Sequence, residues 1–173
     1  MQARDFSWAV SAVMVAVLTA CNTSNERVET WREPVKEKWE EAETVLPTAL
    51  PRASDLIEFE VRRRDRGSFF VDSANLTVGP DGITRLALVA RSDAGASSAT
   101  YEGFRCATWQ SRLYAIAGET EWSAPRISDW RDVANSSFDP KGVLMQEFLC
   151  DGTTPRTPAQ VVQRLRYPTV DWR

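Results

Sequence analysis

The sequence contains no histidine, and its only lysines are Lys36, Lys38 and Lys141. Histidine is the most common general base, neutral-pH switch and metal ligand in proteins. Its absence excludes a Ser-His-Asp or Cys-His catalytic site within the chain and leaves a zinc site without its usual ligands. The net charge of −3 argues against a dedicated nucleic-acid-binding protein, which would be basic. We therefore expect no metal, no cofactor and no nucleic-acid partner.

The apolar stretch near the N-terminus is short. Phe6–Ala20 holds 15 uncharged residues, whereas a helix needs about 20 to span a bilayer. This length suits the apolar region of a signal peptide, and Arg4 precedes it. The stretch ends on Leu18-Thr19-Ala20-Cys21, which resembles a bacterial lipobox, where the cysteine is acylated and becomes the mature N-terminus.

The lipobox resemblance predicts the cellular location of the protein. Residues 1–20 would be a lipoprotein signal peptide, and two or three acyl chains on Cys21 would hold the protein on a membrane. We expect a lipid-anchored protein of the cell envelope that faces the periplasm. Asn22, rather than aspartate, favours the outer membrane. The alternatives are a secreted protein without lipid, and a cytoplasmic protein in which the cysteine follows a buried helix by chance.

The chain has only three cysteines. If Cys21 carries lipid, Cys106 and Cys150 remain as an even number in an oxidising compartment. We therefore predict a disulfide between them. The alternative is a pair of buried free thiols.

Residues 21–53 have the composition of a tether between the anchor and a folded domain. They are rich in glutamate, and Pro47 and Pro51 lie near their end. Apolar residues at intervals of three and four predict a short helix from Pro34 to about Thr44. This helix would either lay Trp31 and Trp39 on a partner or on the domain, or form part of a solvated spacer, and we favour the spacer.

The hydrophobic period changes to two after residue 54, which predicts β-strands. Short loops between successive strands favour an antiparallel sheet. Helices are predicted after Asp139-Pro140 and Thr157-Pro158, since each pair offers an N-cap followed by proline. The expected fold is an α+β domain over residues 54–167, with a curved antiparallel sheet covered on one face by C-terminal helices, followed by a tail at 168–173. Strands are expected within residues 56–62, 69–72, 76–78, 84–92, 99–107 and 111–119.

Paired carboxylates are the one enzymatic option that the composition leaves, since glycoside cleavage needs two acids about 5–10 Å apart. The candidates are Asp72, Glu102, Glu119 and Glu121. Glu102 could instead form an ion pair with Arg105 or an arginine of a neighbouring strand, and Asp72 could cap a turn. A Ser-Lys pair would depend on Lys141, which solvent would keep protonated. We expect a non-catalytic protein.

Two groups of residues are candidates for binding. The first is an arginine cluster that could contact anionic headgroups, or could simply be a solvated loop. The second is a set of tryptophans that could stack on sugars or peptides, or could belong to the core beside the disulfide. The clusters are Arg62, Arg63, Arg64 and Arg66, and Trp109, Trp122 and Trp130.

The string FFVDSANLTVGPDGITRLALVARSDAGASSATYEGFRC, followed by YAIAG, EWSAP, SDW and FLC, resembles the family named for a cryptic neisserial protein. The resemblance covers roughly residues 55–150. It implies an exported or lipid-anchored envelope domain, of a kind found in beta-proteobacteria, with no established molecular activity. We expect a binding or structural module whose partner is an envelope protein, or alternatively a domain that binds or acts on peptidoglycan. The matching positions are Phe70, Val71, Asp72, Leu76, Val78, Asp81, Gly82, Tyr101, Glu102, Gly103, Arg105, Cys106, Tyr114, Ala115, Gly118, Trp122 and Cys150.

Overall fold

Alternating apolar and polar residues form β-strands in the first two thirds of the folded part of the chain. A computed structural model of the chain describes residues 39–62 and 67–168. A 3₁₀ turn at Ala53–Asp55 precedes the first strand. The strands are β1 Leu56–Phe59, β2 Ser68–Asp72, β3 Thr77–Val78, β4 Ile83–Arg91, β5 Ser97–Arg105, β6 Gln110–Ala117, β7 Trp122–Ser123, β8 Arg131–Asp132, β9 Cys150–Asp151 and β10 Thr154–Pro155. The helices are α1 Pro140–Val143, which continues as a π-helix over Leu144–Leu149, and α2 Pro158–Arg166.

The strands within the described residues form one large antiparallel sheet and one small one. The path through the large sheet is β1-β2-β4-β5-β6-β7, with β3 paired to β4 and β8 paired to β6. β4 and β5 pair along their full length, from Ile83 opposite Arg105 to Arg91 opposite Ser97. β9 and β10 form a separate two-stranded ribbon. The prediction of an antiparallel sheet with short helices is confirmed.

The turn between β3 and β4 follows from its sequence, Pro80-Asp81-Gly82. Gly82 has a φ of +74°, a conformation that favours glycine. Its backbone N–H donates to the carbonyl of Gly79 at 3.1 Å, and the Asp81 carboxylate accepts from the backbone N–H of Ile83 at 3.2 Å. β3 and β4 therefore form a hairpin, and its turn holds the Asp81 side chain in place.

Both predicted helix starts are present with the expected caps. The Asp139 carboxylate accepts from the backbone N–H of Lys141 at 2.9 Å. Thr157 and Gln160 form a reciprocal capping box at the start of α2. Beyond α1 the helix widens, and the backbone N–H of Cys150 donates to the carbonyl of Met145, five residues back. This wider turn buries two adjacent pairs of apolar residues, Leu144 and Met145, and Phe148 and Leu149.

The main core lies between one face of the large sheet and these helices. Leu86 and Phe104 of the sheet and Leu144 and Leu149 of the π-helix are fully buried there. Cys106, which directly follows β5, forms a disulfide with Cys150, with their Cα atoms 5.6 Å apart. The predicted pairing is confirmed, and it joins the end of β5 to the end of the π-helix.

The sequence predicted a sheet that is covered on one face only. In the structure both faces are covered. All residues of β4 from Ile83 to Val89 are buried, although alternation predicts that only one face of the strand is. The opposite face, here called the outer face, carries Ala87, Tyr101 and Ala115 as a second small cluster. Residues 39–50, here called the docked segment, hydrogen-bond to side chains and backbone of this face.

The docked segment also corrects the expected helix. Trp39–Pro47 has no regular secondary structure, and the part of the predicted helix before Trp39 lies outside the described residues. The segment belongs to the same compact unit as the sheet, although residues 21–53 were expected to be a tether. Side-chain contacts to the sheet have prevailed over a weak local helix propensity. Within residues 39–62 and 67–168, no helix has the length and hydrophobicity needed to cross a bilayer.

Replacing both Cys106 and Cys150 with serine should lower the free energy of unfolding by about 4 kcal/mol, because the disulfide closes a long loop in the unfolded chain. Scanning calorimetry of the oxidised protein and of the variant measures the change. Reductant should lower the melting temperature of the unsubstituted protein and leave that of the variant unchanged. Equal melting temperatures for the oxidised and reduced protein would contradict a stabilising disulfide.

Candidate functional site

The Glu41 carboxylate is the centre of a polar cluster on the outer face. It accepts hydrogen bonds from the Arg112 guanidinium at 2.7 Å, the Tyr114 hydroxyl at 2.5 Å and the Trp130 indole N–H at 3.0 Å. Arg112 and Tyr114 are two residues apart on β6, and Trp130 directly precedes β8. Since the Glu41 side chain is only 17% exposed, these three donors replace most of the water around its charge.

A buried ion pair lies beside Glu41. The Arg85 guanidinium donates to both oxygens of Asp81, at 2.6 and 3.2 Å, a two-point geometry typical of strong arginine–carboxylate pairs. The side chains of Arg85 and Asp81 are 6% and 2% exposed. Arg85 also donates to the Thr44 hydroxyl at 3.0 Å and the Ala42 carbonyl at 3.1 Å. One arginine of the central strand therefore holds both the turn and the docked segment.

The first described residue of the docked segment, Trp39, lies in an aromatic and cationic pocket. The Arg105 guanidinium carbon is 3.7 Å from the centre of the Trp39 ring, a cation–π distance. Trp130 meets Trp39 edge to face, with ring centres 6.1 Å apart. The Trp39 indole N–H donates to the Asp81 carbonyl at 2.9 Å. The indole is thus fixed on three sides.

A glycine allows Tyr114 to reach Glu41. A Cβ atom on Gly103 would lie 2.6 Å from the Tyr114 ring and hydroxyl, so only glycine leaves room for the ring across β5. Farther along the outer face, Trp122 packs against Tyr101 with ring centres 6.0 Å apart. The Trp122 indole N–H donates to the Ala49 carbonyl at 3.4 Å. The name Glu41 cluster is used below for Trp39, Glu41, Asp81, Arg85, Arg105, Arg112, Tyr114 and Trp130.

The surroundings of both carboxylates favour their charged forms. Burial alone would raise the pKa of Glu41, but hydrogen bonds from Tyr114 and Trp130 and the charge of Arg112 lower it overall. Burial would likewise raise the pKa of Asp81, but the hydrogen bond from Arg85 and the backbone donors of Ala42 and Ile83 lower it. Burial raises the pKa of Tyr114, and its hydrogen bond to Glu41 adds to that effect. Tyr114 is therefore a donor to Glu41 throughout the physiological pH range.

The three candidate tryptophans do not share a surface. Trp109 packs against the main core, where a tight turn gives it a φ of +56°. Trp122 and Trp130 lie on the outer face. Trp122 packs against Tyr101, and Trp130 packs against Trp39 and donates a hydrogen bond to Glu41. All three indoles are half-buried.

The remaining candidates for binding and anchoring are described only in part. Arg62 is exposed and lines a cavity of about 910 Å³ together with Glu58 and Glu60. Arg63, Arg64 and Arg66, and likewise Cys21, lie outside the described residues.

The four candidate carboxylates occupy separate parts of the fold. Asp72 caps the turn after β2, since it accepts from the backbone N–H of Ala74 and from Asn75. Glu102 faces the main core, and its partner is Lys141 at 2.7 Å rather than the expected arginine. Lys141, on which a Ser-Lys pair would depend, is the cation of this ion pair. Glu119 and Glu121 are exposed after β6. No group of three or more potential metal ligands occurs within residues 39–62 and 67–168.

The chain matches the sequence model of the CNP1-like family over residues 35–166. This match covers most of its length. The chain belongs to the CNP1-like family. It is also 30% identical over 111 residues to cryptic neisserial protein 1 of Neisseria gonorrhoeae (strain ATCC 700825 / FA 1090). That alignment covers 56% of this chain and 54% of the relative, so it spans about half the length of the curated protein. No solved structure matches the chain.

The CNP1-like match includes the docked segment, and residues of the family pattern are its contacts. Asp81, Arg105 and Tyr114 belong to the Glu41 cluster, Gly103 makes room for Tyr114, and Trp122 binds the segment at Ala49. Five of the seventeen matching positions therefore help to build an acceptor for residues 39–50.

Sequence reasoning missed three residues of the cluster: Glu41, Arg85 and Arg112. Arg85 carried a usable signal, because an arginine near the start of the apolar strand TRLALVA needs a partner if its face is buried. Glu41 carried none, since it is one of several glutamates in an acidic run.

Glu41→Gln should lower the free energy of unfolding by about 1–2 kcal/mol, because it removes the charge that Arg112 and Tyr114 bind. Denaturant titration followed by tryptophan fluorescence measures the loss. Glu43→Gln is the matched control, since Glu43 is exposed in the same segment, and it should change stability by less than about 0.5 kcal/mol. Equal effects of the two substitutions would show that Glu41 has no special role.

The stability of the protein should fall in acid. The lowered pKa of Glu41 means that its contribution is complete above its ordinary value of 4.5 and is lost as pH drops from there through the lowered value. Denaturant titrations of the unsubstituted protein and of Glu41→Gln between pH 3 and 7 test this. Their difference in unfolding free energy should be constant near pH 6 to 7 and shrink below about pH 4.5. A difference that stays constant down to pH 3 would contradict the assignment.

Proposed function

We propose that this CNP1-like protein is a non-catalytic envelope lipoprotein whose folded domain faces the periplasm and binds another envelope component. The observation that supports the non-catalytic part of the proposal is the Glu41 cluster, in which the charged side chains of the outer face bind the chain's own docked segment. Their hydrogen bonds are already made to other protein groups.

The ion pairs of three carboxylates support the absence of catalysis. A general acid or base needs a titratable group that can exchange a proton with a substrate. Glu41 and Asp81 are held by Arg112 and Arg85, and Glu102 is held by Lys141. With no histidine in the chain, a proton-transfer pair would have to come from exposed, separate carboxylates.

The proposed location rests on the cysteines. Disulfides persist in oxidising compartments such as the bacterial periplasm, and the Cys106–Cys150 bond fits that environment. The lipobox-like sequence that ends at Cys21 supports lipid attachment at the new N-terminus. Asn22 supports transfer to the outer membrane.

The alternative function, peptidoglycan binding or cleavage, has weaker support. A sugar-stacking platform needs open aromatic faces beside carboxylates. Trp122 and Trp130 instead contact Tyr101 and Trp39, and Trp109 packs on the main core. The exposed Glu119 and Glu121 next to Trp122 are what remains in favour of this function.

Cys21→Ala should release the protein from the membrane fraction without unfolding it, because the acylated cysteine is its proposed anchor. Fractionation of cells after a high-salt wash, with near-ultraviolet circular dichroism of the released protein, measures both effects. The matched control is Cys106→Ser with Cys150→Ser, which leaves Cys21 intact and should remain in the membrane fraction. A Cys21→Ala protein that stays with the membrane would contradict the lipid anchor.

The released protein also separates the two functions. Recovery of one envelope protein in a fixed ratio would support a protein-binding module. Retention on purified peptidoglycan sacculi, with no protein recovered, would favour the alternative.

A further inference from the structure

The docked segment is held as a bound peptide would be. Trp39–Leu46 has no regular secondary structure, yet its side chains and backbone contact the β3–β4 turn, the central strands and β6. Its position therefore depends on the identity of its side chains more than on a strand or helix of its own.

Two side chains of the segment enter separate pockets on the outer face. Trp39 lies between Arg105 and Trp130, and Glu41 receives hydrogen bonds from Arg112, Tyr114 and Trp130. Trp39 and Glu41 are two residues apart, the spacing at which side chains of an extended chain point to the same side. The outer face thus binds an aromatic side chain and, two positions later in the sequence, a glutamate side chain.

The outer face also reads the backbone of the segment. The N–H of Ala42 donates to the Asp81 carboxylate at 2.9 Å, and the carbonyl of Ala42 accepts from Arg85 at 3.1 Å. One residue thus has both its donor and its acceptor bound, which fixes the direction and register of the segment. The side chains of Glu40, between Trp39 and Glu41, and of Glu43, after Ala42, are exposed to solvent.

The charges of the two partners are complementary. The segment carries Glu40, Glu41 and Glu43, whereas the acceptor carries Arg85, Arg105 and Arg112 with Asp81 as its single acid. An acidic, extended peptide suits this face, and a basic one would be repelled.

We propose that the outer face is a recognition site for an extended acidic peptide with an aromatic residue two positions before a glutamate, and that two copies of this chain exchange residues 39–46 at this site. Residues 39–46 are held through the side chains of Trp39, Glu41 and Thr44 and the backbone of Ala42. The same residues of a neighbouring copy would make the same contacts. Residues 47–52 connect the exchanged part of the segment to the turn before β1 and contact the outer face through the long hydrogen bond from Trp122 to Ala49. Such a connection can cross between copies. The proposal rests on the proposed membrane anchor only for the high local concentration that would favour exchange.

Two full-length variants test the exchange in detergent solution, where the outcome does not depend on the anchor. The segment variant, Trp39→Ala with Glu41→Gln, removes the two side chains that the outer face binds and leaves the outer face unchanged. The acceptor variant, Arg112→Gln with Tyr114→Phe, removes two hydrogen-bond donors to Glu41 and leaves the segment unchanged. Each variant alone should be monomeric, and the mixture should form a one-to-one heterodimer by native mass spectrometry. Glu43→Gln is the control, because it keeps both the segment and the acceptor; like the unsubstituted protein, it should form an exchanged homodimer. A monomeric unsubstituted protein would overturn the exchange.

A labelled peptide of residues 39–48 tests the recognition site separately. It should bind the segment variant at least about tenfold more tightly than the unsubstituted protein, and Glu41→Gln within the peptide should weaken binding by about tenfold. Peptide binding without heterodimers, in variants that keep the native circular dichroism spectrum, would overturn the exchange between copies. Failure of the peptide to bind would overturn the recognition site itself.

Discussion

The burial of the Glu41 carboxylate is the interaction on which the outer half of this structure depends. A charge removed from water is tolerated only when donors replace the lost hydration. Arg112, Tyr114 and Trp130 supply those donors. Because Glu41 binds them, the docked segment lies on the sheet. Because the segment covers the outer face, the central strand β4 becomes buried on both sides.

The ion pair between Arg85 and Asp81 gives this arrangement its specificity. Buried ion pairs add little net stability compared with apolar packing, but breaking one partner is costly, so they select one register over others. Arg85 joins the β3–β4 turn, the segment backbone at Ala42 and the side chain of Thr44. A segment without strand or helix hydrogen bonds of its own is in this way held in one place. The main core, on the other face, is stabilised differently, by apolar packing and the Cys106–Cys150 disulfide.

Much of the domain could be predicted from local sequence. Asp139 and Thr157 began helices where their capping chemistry indicated, and strands were predicted within residues 84–92, 99–107 and 111–119, where β4, β5 and β6 lie. The main error concerned residues 34–44, where spacings of three and four favoured a helix. In the described part of that range, Trp39 and Glu41 bind residues far away in the sequence, and those contacts outweigh the small free-energy differences of helix propensity.

The sequence by itself determined the strands, turns and caps, because each of these depends on neighbouring residues. Counting cysteines predicted the Cys106–Cys150 pair only together with the expectation that Cys21 carries lipid. Only the tertiary structure decided which charged residues are buried. Alternation assigns Arg85 to one face of β4, but it cannot say whether that face meets water or another part of the chain. The answer came from residues 39–50, whose contacts to Arg85, Arg112 and Tyr114 join parts of the chain far apart in sequence.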